Sequence, residues 1–282
     1  MTIAEWMKRA IDALRDTGCP DPEIDARWIA EDALGMTASE LRFEAQKAPD
    51  PKKQEPLDDC LRRRCQGEPV QYILKRADFM GLKLYVDERV LIPRQDTETL
   101  AEAAIVALQG KANTNVLDLC AGSGAIGLSI ATLVPGAEVT LTDLSAGALE
   151  VARKNAKLLN VDAEFRCGDL FQAVEWDSFD LIVSNPPYIP SSELAELQRE
   201  VGFEPAMALD GGADGLDFYR RIAADAGAHL NPGGSIYLEV GAGEAEAVLE
   251  LLRTHLDGAA SGIQKDLNGI DRIVWLRSNT NG

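Results

Sequence analysis

Phe179-Asp180-Leu181-Ile182-Val183-Ser184-Asn185-Pro186-Pro187-Tyr188 is the stretch on which the reading of this chain turns. Its first half is apolar and β-branched, as in a buried strand, and it stops at a rigid polar corner, Asn-Pro-Pro-Tyr. Two successive prolines fix φ and remove two backbone donors, so the carbonyls there are free to accept from another group. Pro187 also restricts Pro186, which stiffens the corner. A stiff corner with spare acceptors at a strand end reads as a place to hold a group that donates two hydrogen bonds. By itself it reads equally well as a proline turn.

The totals bound the answer. At 282 residues the chain is long for one domain and comfortable for two. A 46% hydrophobic fraction with 26% charged residues describes a globular protein with a sizeable core. The net charge of -18 argues against a nonspecific duplex-DNA footprint, which needs clustered Lys and Arg; a basic protein partner remains compatible. Cys19, Cys60, Cys65, Cys120 and Cys167 are an odd, scattered set without C-x-x-C spacing, read as reduced thiols and not as a disulfide frame or zinc site. His229 and His255 are too few for a His-based metal site, and no metal is expected. Met1 to Arg9 lacks the apolar run of a signal peptide, and no segment offers about 18 uninterrupted apolar residues. A cytoplasmic protein without membrane contact is expected.

Outward from the opening stretch, the pattern from residue 114 alternates strand and helix, which implies a mostly parallel sheet covered on both faces. Val116–Leu119 is a short buried strand, Cys120–Gly124 a turn, and Ala125–Leu133 a helix. Val139–Asp143 is a second strand, Ala146–Leu159 an amphipathic helix, and Ala163–Cys167 a third strand ending in Gly168-Asp169-Leu170. Phe218–Leu230 reads as a helix stopped by Asn231-Pro232-Gly233-Gly234, Ser235–Val240 as a fifth strand, and the segments 262–265 and 271–276 as an antiparallel hairpin. Residues 279–282 are expected to fray.

Upstream, residues 1–75 read as a small helical bundle. Ile3, Trp6, Met7, Ala10, Ile11 and Leu14 recur at helical spacing, and Pro22 after Asp21 marks a helix start. The bundle carries no evident chemistry; partner recognition and simple packing are equal readings of it. Gly67–Leu74 breaks the helical pattern, residues 78–86 alternate as a hairpin, and a helix periodic from Thr97 to Leu108 follows. The expected division is a bundle over 1–75, a hairpin linker over 76–92 and an α/β domain over 93–282.

The turn after the first strand has glycines where backbone must approach a ligand, although Cys120 occupies the first glycine position of the dinucleotide fingerprint. A cysteine fits there if its φ is negative. Asp143 ends the next strand about twenty residues on, where a carboxylate takes both ribose hydroxyls. Asp169 can accept from an exocyclic adenine amine while Leu170 covers the ring. Four consecutive strands thus deliver their special residues at one edge of one sheet, where ligands bind in open parallel sheets.

Taken in order, Asp-Leu-Cys-Ala-Gly-Ser-Gly (118–124), Asp143, Asp169 and Asn-Pro-Pro-Tyr resemble the class I S-adenosylmethionine-dependent methyltransferases. Gly-Glu-Pro-Val-Gln-Tyr-Ile (67–73), Leu-Ile-Pro-Arg-Gln-Asp-Thr-Glu (91–98), the segment 203–216 and Asp-Leu-Asn-Gly-Ile-Asp-Arg (266–272) extend that resemblance to the glutamine methyltransferases of peptide chain release factors, the PrmC or HemK family. The resemblance implies an α/β, Rossmann-like sheet, mostly parallel with a C-terminal antiparallel hairpin, plus the helical N-terminal domain. It implies S-adenosylmethionine as cofactor, with Cys120, Ala121, Gly122, Ser123 and Gly124 around its methionine moiety, Asp143 on the ribose, and Asp169 and Leu170 at the adenine. Asn185 would touch cofactor and substrate, and Asn185, Pro186, Pro187 and Tyr188 would bind the target glutamine, with Asn185, Pro186 and Tyr188 as its catalytic set. Class I release factors would be the protein partner of a monomeric enzyme. Gln95 stands where the family often has Pro, and Cys120 where it often has Gly.

Three other readings stay open on the residues alone: a ribosomal-protein glutamine methyltransferase, an adenine-N6 methyltransferase acting on DNA or RNA, and a noncatalytic adenosine-binding module. The acidic balance weighs against nucleic acid. Arg94 and Glu98 read either as a closing pair over the site or as a surface i, i+4 contact, Trp6 and Trp28 as core, and Glu239 as structural.

Overall fold

Helix starts in the N-terminal region are written in four-residue boxes. The Thr2 hydroxyl accepts from the Glu5 N–H while the Glu5 carboxylate accepts from the Thr2 N–H, opening α1 (Ile3–Asp16). Ile3, Trp6, Ala10 and Leu14 form its buried stripe. Proline in the first turn starts α2 (Pro22–Leu34), and Gly35 ends it at φ 66. A second capping box, Thr37 with Glu40, starts α3 (Ala38–Phe43), and Asp50 caps α4 (Pro51–Cys65). Trp6 is core, whereas Trp28 is only half-buried. The stretch expected to break the helical pattern instead holds α5 (Val70–Leu74), which buries Val70, Tyr72 and Ile73 after Pro69 sets its entry.

The computed structural model describes residues 1–279 in two units; the expected frayed tail lies outside them from residue 280 onward. One unit comprises residues 1–76 with 198–203, the other residues 77–197 with 204 onward.

The second unit opens with a hairpin, β1 (Ala77–Phe79) and β2 (Leu82–Leu84). Met80 and Gly81 both have positive φ, the two-residue turn that matches strand twist. There follow α6 (Gln95–Leu108), β3 (Thr114–Leu119), α7 (Ala125–Leu133), β4 (Ala137–Asp143), α8 (Ala146–Leu159), β5 (Glu164–Cys167) and β6 (Phe179–Ser184). Then come α9 (Asp217–Ala226), β7 (Leu230–Glu239), α10 (Ala245–His255), β8 (Gly258–Lys265) and β9 (Asp271–Ser278). Among the described residues, seven strands form one sheet in the order β5-β4-β3-β6-β7-β9-β8. Its first five are parallel, and β9 pairs antiparallel with both β7 and β8.

Alternate residues of the central strands feed two cores. Leu117, Leu119 and Ile182 pack with Tyr219, Ile222, Val248 and Leu252, while Val116, Leu181 and Val183 pack with Leu100, Ala104, Leu128 and Ala152. Burial on both faces is why these strands read as continuous apolar runs.

One boundary departs from expectation. α9 ends at Ala226, and Asn231-Pro232-Gly233-Gly234 lies inside β7 instead of stopping a helix. The pairing with β6 shifts register between Phe179 and Leu181, so Pro232 and the left-handed Gly233 are carried by a bulge.

The chain leaves β3 toward β4 and β5 on one side and returns to β6 on the other. The topological switch point therefore falls between the ends of β3 and β6. Leu119 pairs with Ser184 there, and the Ser184 hydroxyl donates to the Leu119 carbonyl at 2.7 Å. Cys120 and Asn185 are the next residues out.

Candidate active site

A cavity of about 310 Å³ opens at this switch point. Cys120 and Gly122 from the β3 turn, Asp143 from β4, Asp169 and Leu170 beyond β5, and Asn185 and Pro187 beyond β6 all line it. Ala121, Ser123 and Gly124 do not; they form the frame behind the wall. The Ala121 N–H donates to the Thr142 carbonyl at 2.9 Å, and Gly124 starts α7 at φ 80. Pro186 is buried and Tyr188 half-buried, and neither lines the cavity.

Asp143 is held rigidly. Its Oδ2 accepts from the Gly122 N–H at 2.9 Å and its Oδ1 from the Ser145 N–H at 2.8 Å. Each oxygen keeps a further lone pair, so the carboxylate can still take two hydroxyl donors. Burial raises its pKa, opposed by those two N–H groups. Gly122 lines the cavity at φ 55, and a Cβ there would meet nothing within 4 Å, so its backbone is bare on that side. Asp169 is bound by Arg221 of α9, whose Nη2 lies 2.7 Å from Oδ2. The arrangement fits a nucleoside with a donor-rich sugar at Asp143 and a base beside Asp169 and Leu170.

Cys120 corrects an expectation: its φ is +58, not negative. The turn demands a left-handed residue after β3, a conformation that costs an ordinary side chain about 1–2 kcal/mol. Its side chain packs against the core cluster beneath the sheet end, and burial pushes the thiol up to about 12. A protonated, inert thiol is its state at neutral pH.

Arg94 and Glu98 are not paired with each other. Arg94 binds Glu204, whose Oε2 also accepts from the Ile92 N–H at 2.9 Å; Glu98 accepts from the Met80 N–H at 2.6 Å. Glu204 is buried, so it ties the Ile-Pro-Arg segment to the Phe-Glu-Pro segment that supplies Pro205 and Met207 to the cavity.

Asn185 Nδ2 donates to the Thr97 hydroxyl at 3.2 Å, which leaves Oδ1 as the amide atom to accept from a ligand. Tyr188 is wedged by glycines. A Cβ on Gly211 would lie 2.6 Å from the Tyr188 Cα and 2.8 Å from the Gly215 carbonyl oxygen. Backbone cannot yield as a flexible side chain can. Gly211→Ala is therefore expected to destabilise the chain by about 1–3 kcal/mol, read as a lower denaturation midpoint; an unchanged midpoint would refute the wedge.

Some residues around the site carry only a weak local signal. Asn155 of α8 is fully buried, donates to the carbonyls of Ser123 (2.9 Å) and Tyr85 (3.0 Å), and accepts from the Tyr85 N–H at 2.7 Å. An Asn in the apolar register of an amphipathic helix was the available clue. Glu239, 2% exposed at the end of β7, has an Oε2 without a hydrogen-bond partner, and burial pushes its carboxyl up to about 7.

Asp118, 1% exposed in β3, accepts from the Gly127 N–H at 2.8 Å through Oδ2. Burial pushes its carboxyl up to about 7, opposed by the Gly127 N–H and reinforced by the Asp143 charge. An unfolded Asp titrates near 4, so between about pH 4 and 7 the folded chain holds a proton that the unfolded chain has lost. Stability then falls as pH rises through that window. Asp118→Asn is expected to flatten the urea midpoint between about pH 5 and 7.5, leaving a smaller slope from Glu239. A wild-type midpoint that rises over the same range would contradict this.

Comparison with known proteins agrees with the geometry. Residues 96–200 match the family profile described as Methyltransferase small domain, and residues 5–74 match the PrmC N-terminal domain. The chain is 40% identical over 277 residues to the release factor glutamine methyltransferase of Geobacter sulfurreducens, covering 98% of this chain and 95% of that one. It is 42% identical over 268 residues to that of Bordetella pertussis, covering 93% and 96%. A solved methyltransferase from Pyrococcus furiosus shares the fold at 18% identity, with a TM-score of 0.51 over 71% of this chain and 90% of that one. A switch-point cavity walled by the β3 turn, Asp143, Asn185 and Pro187, in a chain alike to these relatives along nearly its whole length, leads to one conclusion: the chain belongs to the release factor glutamine methyltransferase family.

Proposed function

We propose that this chain transfers a methyl group from S-adenosylmethionine to the side-chain amide nitrogen of the glutamine in the Gly-Gly-Gln motif of class I peptide chain release factors. The observation that carries the reading is Asn185, set at the switch-point cavity with its Nδ2 turned back to Thr97. Family membership supports the substrate.

Bound in the cavity, S-adenosylmethionine would supply a sulfonium methyl already activated for transfer: the N–CH₃ bond forms as the S–CH₃ bond breaks, S-adenosylhomocysteine is left, and the amide nitrogen gives up one proton after transfer. Cys120 and Gly122 would border its methionine moiety, with Ala121, Ser123 and Gly124 holding the turn; Asp143 would take the ribose, and Asp169 and Leu170 the adenine. The difficulty lies in the acceptor, because an amide nitrogen delocalises its lone pair into the carbonyl. Asn185 Oδ1 and the Pro186 carbonyl accept the two amide hydrogens, fix the plane of the NH₂ and stabilise the positive charge that develops on nitrogen. Pro187 stiffens the corner, and Tyr188 flanks the amide. Burial, with the Glu239 charge adding to it, pushes the Tyr188 hydroxyl up to about 12, so it stays protonated. Orientation is the main contribution, since ideal positioning supplies about 7–11 kcal/mol.

The helical residues 1–75 serve as the substrate-recognition domain, joined by 198–203, with 76–92 as a hairpin connection and the rest of 93–282 as the catalytic domain. The enzyme acts as a cytoplasmic monomer without membrane or direct nucleic-acid contact; among the described residues no helix is long and apolar enough to cross a membrane. The test is incubation with labelled cofactor and purified release factor, ribosomal protein or DNA, followed by mass spectrometry. Label on the Gly-Gly-Gln glutamine supports the reading, and label in DNA alone refutes it.

A further inference from the structure

Behind Asn185 lies a buried carboxyl that the mechanism above does not use. β6 and β7 run side by side with Ser184 opposite Leu238, which sets Asn185 and Glu239 next to each other at the sheet edge. Thr97, buried in the first turn of α6, completes the group: its hydroxyl accepts from Asn185 Nδ2 at 3.2 Å, and the Thr97 and Asn185 side chains both reach the Glu239 carboxyl. A hydroxyl that accepts from an amide still has its own proton to give, so Thr97 can pass the connection from Asn185 to Glu239. The other charged and titratable groups around Glu239 are Arg272 from β9, Asp96 from α6, and Tyr188 and Tyr219.

The two ends of an Asn amide have nearly the same shape and opposite hydrogen-bonding character. A substrate NH₂ is a pair of donors and needs an oxygen. If Asn185 turned over, it would present its own NH₂ to the substrate NH₂, and donor would face donor. Something must therefore hold the nitrogen end inward. A carboxyl placed behind the amide is an acceptor in either protonation state, and burying one with an oxygen unpartnered costs stability.

We propose that Glu239 and Thr97 are positioning residues: they hold Nδ2 of Asn185 inward so that Oδ1 faces the substrate, which selects a substrate that donates NH₂. The inference deepens the methyl-transfer reading and rests on it. It does not depend on whose NH₂ is methylated. Hydrogen bonds in series polarise one another, so the inner acceptor also makes Oδ1 a better partner for a nitrogen gaining positive charge.

The experiment measures turnover, substrate KM and S-adenosylmethionine Kd for full-length Glu239→Gln, Thr97→Val and Thr97→Ser, on the substrate that the wild type methylates. Glu239→Gln keeps the shape but can offer an NH₂ to its neighbours, and Thr97→Val removes the accepting hydroxyl. Both are expected to lose about 10- to 100-fold in kcat, with cofactor Kd changed less than about threefold, as misplacement of a reacting group does. Thr97→Ser is expected to retain most of the turnover. In an Asn185→Ala background, Glu239→Gln and Thr97→Val are expected to cost nothing further, because they act through Asn185. Wild-type kcat in Glu239→Gln, or a full additional loss on top of Asn185→Ala, would overturn the proposal. Retained cofactor binding shows that the variants are folded. Methylation of a different NH₂-bearing substrate would refute the release-factor assignment and leave this inference standing.

Discussion

Asn185→Ala is expected to leave S-adenosylmethionine binding within roughly tenfold of wild type while kcat falls by about 10²–10³-fold, the usual cost of removing one preorganised partner of developing charge. Asn185 lines the cavity, so a modest loss of cofactor affinity is built into the expectation. The larger loss follows from what remains. On the proposed mechanism, loss of Oδ1 would leave only the Pro186 carbonyl to accept from the substrate amide, and one hydrogen bond would allow the NH₂ to rotate about the line joining the two. The lone pair then has no fixed aim. Alanine also strands the Thr97 hydroxyl and the Glu239 carboxyl without their polar neighbour, but both lie behind the corner and away from the cofactor wall. Isothermal titration with S-adenosylmethionine and single-turnover kinetics on the release factor separate the two effects. Equal losses in Kd and kcat would mean that Asn185 is mainly a cofactor contact and that the orienting role is wrong.

How much of this was legible in sequence depended on the range of the interaction involved. The parallel sheet and its strand-end residues could be read because each strand is a short apolar run closed by a polar signal. Asp143, Asp169 and Asn185 therefore fell on one edge once the alternation of strand and helix was accepted. The left-handed φ of Cys120 is set by the turn as a whole and leaves no mark on the residue that must adopt it. Helical spacing sets Arg94 and Glu98 in i, i+4 register, yet the partner of Arg94 is Glu204, 110 residues away. Glu204, Asn155 and Glu239 share this character: each is a buried polar side chain whose partner is distant in sequence. The short stretch 198–203 is the extreme case. It follows the Asn-Pro-Pro-Tyr corner closely in the chain, yet it belongs to the N-terminal unit.

That stretch depends on one buried cation, and Arg64→Ala is expected to destabilise the N-terminal unit by about 3–5 kcal/mol. The Arg64 side chain is 3% exposed, with Nε 2.5 Å from Asp25 Oδ2 and Nη2 on Glu200. Its Nη1 meets the Glu68 carbonyl at 3.3 Å, and its Nη2 also meets the Cys19 sulfur at 3.3 Å. Burial opposes the guanidinium charge, and the hydrogen bonds to Glu200 and Asp25 outweigh it, holding the pKa above its ordinary value. Alanine leaves Asp25, itself buried, as an unpaired charge, and removes from Glu200 the anchor that binds 198–203 to this unit. Desolvation is the larger part of that cost, which gives a sharper test than the single variant. If unpaired charge is the cause, Arg64→Met is expected to lose nearly as much as Arg64→Ala despite filling more of the space. Arg64→Met combined with Asp25→Leu is then expected to recover most of the loss. Because two units are present, unfolding need not be two-state, so tryptophan fluorescence, to which Trp6 and Trp28 of this unit and Trp176 and Trp275 of the other all contribute, is to be compared with far-ultraviolet circular dichroism in urea. A double variant no more stable than Arg64→Met would show that packing and not charge holds the site. If the bundle recognises the release factor, the same Arg64 variants are expected to raise the release-factor KM while the S-adenosylmethionine Kd stays within about threefold of wild type, because Arg64 holds 198–203 and no wall of the cofactor cavity.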